Sequence, residues 1–126
     1  MTVERFTLPA RPDAASVARR RARAAADRRL PQAAAETLYL LVNELVANAV
    51  EKGAVPGPLE VEMRFREHSV EVAVVDPGTA CGPPPDAVTP PRGAGFGLHH
   101  VEDRAERWGV TCDGRTRVWF ELSRAA

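Results

Sequence analysis

Between Pro77 and Gly97 lie six of the chain's eleven prolines and five of its nine glycines. No helix or strand persists through such a run, because proline removes a backbone donor and fixes φ while glycine multiplies the accessible conformations. The core must therefore be assembled from the segments on either side, with this stretch carried as an excursion. Irregular loops of that length inside a compact domain are uncommon and tend to be lids or binding segments. A chain of 126 residues suits one modest core, so a single domain over 1–126 is expected.

The flanking segments have clear periods. "VERFTL" (residues 3–8) alternates loosely as a strand and is ended by Pro9. From Asp13, a plausible cap, to Leu30 the alanine- and arginine-rich run contains no breaker, which predicts a first helix. Pro31 suits the first turn of a second helix, "QAAAETLYLLVNELVANAVEK", which stops at Gly53. "LEVEMRFRE" and "SVEVAVVD" alternate with period two about a turn at His68 and Ser69, predicting an antiparallel hairpin. After the loop, a third helix is expected from near Phe96 to about Arg107, then strands "GVTCD" and "TRVWFEL" joined at Asp113-Gly114. The order predicts an α+β fold: a two-layer α/β sandwich whose mostly antiparallel sheet is covered on one face by three helices.

Charge narrows the function classes. Seventeen basic and seventeen acidic residues cancel, so no overall field draws in nucleic acid or an anionic membrane. The arginines of helix one (Arg19, Arg20, Arg21, Arg23, Arg28, Arg29) point around the helix rather than along one stripe, which favours a solvated face or a partner patch over a nucleic-acid surface. The apolar run from Leu38 to Val50 is interrupted by Asn43, Glu44 and Asn48 and is too short and polar to span a bilayer. Cys81 and Cys112 lack the paired spacing of a zinc site, and Met1 leads into Thr-Val-Glu-Arg rather than a signal sequence. A soluble, reducing, cytoplasmic setting is expected, with one disulfide left open.

Three small constellations carry chemistry. On helix two, Leu38, Leu41, Val42, Leu45, Val46 and Ala49 form one broad stripe, and Glu44 and Asn48 stack one turn apart beside it. A carboxylate and an amide placed there can address one ligand, although such pairs are also common on exposed faces. Asp76 closes an apolar strand ahead of Pro77-Gly78, either as a turn residue or as a carboxylate presented at the sheet's end. Gly93, Gly95 and Gly97 precede a helix, whose first free amides can hold an anionic phosphate. A dinucleotide fold needs its glycines directly after a strand, and the phosphate-loop lysine motif is missing, so any nucleotide site is of another design. The adjacent His99 and His100 face different ways on a helix, which favours solvent or packing over a metal.

The ordered set "NELVANAVEKG", "VVDPG" and "GAGFGL" resembles the N box, D-x-G box and glycine-rich lid of the histidine-kinase-like ATPase superfamily. With the ending "DRAERWGVTCDGRTRVWFEL", the chain is most similar to single-domain bacterial anti-sigma factor serine/threonine kinases of the RsbW and SpoIIAB type, actinobacterial ones in particular. That resemblance implies ATP and Mg²⁺ as cofactors. It makes Asn48 the magnesium ligand and Glu44 the general base. Asp76 becomes the acceptor for the adenine amino group with Gly78 beside it, and Gly93, Gly95, Gly97 and Leu98 form the lid and helix start around the phosphates. It implies a sigma factor and a STAS-type anti-sigma factor antagonist as partners, leaves a homodimer open, and implies neither direct nucleic-acid binding nor membrane association. Lys52 stands where many relatives have His, and Arg117 stands where many have Thr, with Thr116 one residue earlier. Because a one-residue slip reverses a strand side chain's face, neither Thr116 nor Arg117 is assigned to the site. The prolines Pro83, Pro84, Pro85, Pro90 and Pro91 make the lid stiff. A catalytically weak or inactive ATP-binding interaction module is the alternative.

Overall fold

The computed structural model describes residues 1–52, 57–77, 98–112 and 114–125. Along the chain run β1 (Thr2–Leu8), α1 (Ala14–Ala26), α2 (Gln32–Lys52), β2 (Leu59–Phe65), β3 (Ser69–Asp76), α3 (His99–Arg104), β4 (Arg107–Cys112) and β5 (Thr116–Ser123). The five strands form one sheet in the order β1-β2-β3-β5-β4, every neighbouring pair antiparallel. This is the two-layer α+β sandwich that the sequence predicts.

Register follows the alternation. Val61, Met63 and Phe65 of β2 lie opposite Val74, Val72 and Val70 of β3, which in turn face Val118, Phe120 and Leu122 of β5. All nine are buried and share the helix-covered face. Against them packs the α2 stripe of Leu38, Leu41, Val42, Leu45 and Val46, each fully inaccessible. Burying a side chain of this size contributes about 1.5–3 kcal/mol. Helix α1 closes on α2 with Ala14, Ala18, Ala22 and Ala25, small residues spaced so that the two backbones approach closely.

The opposite face is a lattice of charge. Glu71 and Glu121 lie directly opposite each other on β3 and β5, an arrangement that is repulsive on its own. Arg66 approaches both, at 3.1 and 3.7 Å, while Arg117 holds Glu71 at 2.6 Å and Arg107 holds Glu121 at 3.0 Å. Glu62 is likewise clasped by Arg5, at 2.7 Å, and by Arg64. The hydroxyl of Tyr39 on α2 donates to Asp27, tying the α1–α2 connection.

Three expectations are corrected. Helix one ends at Ala26 rather than Leu30, because the amides of Arg29 and Leu30 both turn back to the carbonyl of Ala26. Asp13 occupies the cap position without a side-chain cap bond. Helix three ends at Arg104, since Ala105 is extended and Arg107 is already paired with Glu121 in the sheet. Cys112 is buried and takes part in a disulfide. The arginines of this region stay exposed except Arg29: on α1, Arg21 lies over Phe6 and Arg23 over Tyr39, while half-buried Arg29, beyond the helix end, lies over Phe65 with Glu4 at 3.1 Å. Among the described residues no helix is long and apolar enough to cross a membrane.

Candidate nucleotide site

The sequence of α2 sets the site. With its apolar stripe turned to the sheet, the adjoining side carries Leu40, Glu44 and Asn48 along one ridge and Asn43, Ala47 and Glu51 along the next. These six, with His100 of α3, line a cleft of about 240 Å³. Glu44 and Asn48 are thus brought to one cavity, as the helical spacing predicts.

The start of α3 explains how Glu44 is held. A helix leaves its first amides without internal partners, and the residue at the cap position here is Leu98, whose side chain cannot accept a hydrogen bond. Leu98 is instead buried in the core, and its carbonyl accepts the Glu102 amide at 2.9 Å. The cap is supplied from α2. The amide of His100 donates to Glu44 Oε1 at 3.0 Å and more distantly to Oε2 at 3.3 Å, and the amide of Val101 donates to Oε1 at 3.2 Å. The imidazole Nδ1 of His100 lies 2.6 Å from Oε2. An ionised carboxylate only accepts, so this Nδ1 carries the proton. His100 is exposed, as expected, and its ring also lines the cleft beside Glu44. The absence of Ser, Thr, Asp or Asn at position 98 was the readable sign that an outside acceptor must serve these amides.

Asp76 ends β3 on the helix-covered face and is 7% exposed, although it is not among the residues lining the cleft. Directly across from it on β5 is Thr116, also buried. Counting back by twos from Phe120 and Val118 puts Thr116 on the Asp76 face, whereas Arg117 points to the opposite face and Glu71. Gly78, Gly93, Gly95 and Gly97 lie outside the described residues, as do the lid prolines.

Asn43, Glu44, Asn48 and Glu51 present only oxygen acceptors and amide groups to the cleft, the donor chemistry that suits Mg²⁺. Among the described residues no three His, Cys, Asp or Glu side chains converge into a metal cage. The fit is to an ion bound by one or two protein oxygens with phosphates and water completing its shell.

Comparison with known proteins places the fold in a family. The model of the histidine kinase-like ATPase domain matches residues 8–121. No curated protein matches the sequence. Among solved structures, the RsbU and RsbW domains of Rv1364c from Mycobacterium tuberculosis share the fold, with a TM-score of 0.74 at 22% identity. That match covers 100% of this chain and 34% of the other, so the present chain spans about a third of its length. The chain belongs to the histidine kinase-like ATPase domain family, in an RsbW-type fold.

Proposed function

We propose that the chain is an ATP- and Mg²⁺-dependent protein serine/threonine kinase that acts as an anti-sigma factor and phosphorylates a STAS-type antagonist. Family membership implies ATP binding. The observation that supports catalysis is the shared cleft of Glu44 and Asn48 at the point where α3 begins. In this reading Asn48 provides the protein's oxygen to the magnesium ion, which supplies charge neutralisation on the phosphates. Asp76 accepts from the adenine amino group, and the glycines Gly78, Gly93, Gly95 and Gly97 with the helix start at Leu98 surround the nucleotide. Glu44 takes the proton of an incoming serine or threonine hydroxyl as its oxygen bonds to the γ-phosphorus and ADP departs. Phosphoryl transfer depends mainly on positioning and electrostatics, which a short set of groups can supply. We read residues 1–126 as one ATP-binding domain acting in the cytoplasm.

The test is transfer from Mg-ATP to a cognate antagonist. Phosphoserine or phosphothreonine forms with the wild type, and Glu44→Ala lowers the rate by about 10²–10⁴-fold, the usual worth of a general base. Equal behaviour of the two proteins, or no phosphorylated product, contradicts the kinase reading.

One observation favours a second reading, a nucleotide-binding module without turnover. The Glu44 carboxylate already accepts three N–H groups, which take up acceptor sites that a substrate hydroxyl would need. Tight ATP binding without product, with partner capture that survives Glu44→Ala and is lost in Asn48→Ala, would establish that reading.

A further inference from the structure

We propose that His100 is a positioning residue for Glu44, fixing the carboxylate in the cleft so that one oxygen remains available to a substrate hydroxyl. The inference rests on the kinase reading above. Three donors meet a carboxylate with about four acceptor sites. Oε1 takes the amides of His100 and Val101, and Oε2 takes the imidazole Nδ1–H with a distant share of the His100 amide. Among the described residues one acceptor site therefore stays open, and it lies on Oε2. The two amides are present whatever residue stands at position 100, but they anchor mainly Oε1. Among the described residues the imidazole is the one side-chain donor on the pair, and its contact is the closest. Without it, the carboxylate can turn about its terminal torsion, which is broad for glutamate.

Packing does not place the ring there. The His100 side chain is 51% exposed, whereas that of Glu44 is 14% exposed. The ring is held by the carboxylate it meets, and its replacement leaves the core untouched. His99, also exposed on the same turn, provides a matched control. The side-chain nitrogen of asparagine can occupy the place of the imidazole Nδ1, while that of glutamine reaches the place of Nε2, so the two amides separate the position of the donor from its mere presence.

The experiment compares wild type, Glu44→Ala, His100→Ala, His100→Asn, His100→Gln and His99→Ala for kcat, KM for ATP and melting temperature. His100→Ala is expected to lower kcat by about ten- to a hundredfold, because small misplacements of a catalytic group are costly. Its KM for ATP stays within about twofold and its melting temperature is kept, the signature of an interaction that matters in the transition state. His100→Asn recovers most of the loss, His100→Gln little of it, and His99→Ala behaves as wild type. Wild-type turnover in His100→Ala, or equal losses in the Asn and Ala variants, overturns the positioning role while leaving the kinase reading intact if Glu44→Ala is inactive. Absence of turnover in every variant, wild type included, overturns the kinase reading and the positioning role of His100 with it. A nitrogen-detected spectrum of the imidazole reports the pairing itself: Nδ1 carries the proton and its signal moves in Glu44→Gln, and an unmoved signal overturns the pairing whatever the activity.

Discussion

Glu71 shows how the open face of the sheet is balanced. Burial pushes its carboxyl pKa upward, but hydrogen bonds and charge from Arg117 and then Arg66 outweigh this, leaving it below the ordinary carboxylate value. Glu62 is lowered in the same way, its burial being overcome by Arg64 and Arg5. A pKa lower in the folded than in the unfolded chain stabilises the fold fully above the unfolded value, and this contribution is lost as the pH falls through the folded value. Melting temperature should therefore hold near neutrality and drop once the pH passes below the glutamate range of about 4.3. Glu71→Gln should be less stable than wild type at neutral pH and show a shallower acid decline; parallel acid limbs in the two proteins would contradict the account. At this scale the shared cleft of Glu44 and Asn48 was legible from helical spacing, whereas Asp76, proposed from its motif, lies outside that cleft. The place of Thr116 was also legible, had the strand's period been carried back from Phe120, but the pairing of Glu44 with His100 was not. It joins residues 56 apart in sequence, and neither residue's local pattern records the other.

The elements follow local chemistry except where tertiary pairing competes. Helix α2 and the strands appear nearly where periodicity puts them, because one stripe or face of each is strongly apolar. Helix α3 is shorter than its sequence predicts because long-range contacts claim its end. Glu106 donates its amide to Glu121 at 2.8 Å, and Trp108 is buried opposite Phe120. The α1–α2 contact supplies a sharp test. Ala22 is completely buried at the helix interface, so Ala22→Leu should destabilise by about 1–3 kcal/mol through overpacking. In the centre of α2, Leu45→Ala should cost about 2–5 kcal/mol by leaving a cavity. Urea midpoints measure both. A neutral Ala22→Leu would mean that the helices do not pack through their small residues.

For the whole molecule, the sandwich was legible because both layers carry their burial in simple periods, and the family boxes fall at the ends of those elements. One layer of this fold presents Glu44 and Asn48 on α2, with Glu44 capping α3, while the sheet presents Asp76 at the end of β3 opposite Thr116 at the start of β5. Sequence alone could not give the capping of α3 by Glu44, since it depends on how α3 meets α2 in space. The central claim is that these groups serve one nucleotide, and it is tested most directly by titrating wild type, Asn48→Ala and Asp76→Ala with ATP, with and without Mg²⁺. Asp76→Ala should lose ATP binding under both conditions, and Asn48→Ala should lose only the part that depends on magnesium. Wild-type affinity in Asp76→Ala, or an unchanged magnesium dependence in Asn48→Ala, would contradict it.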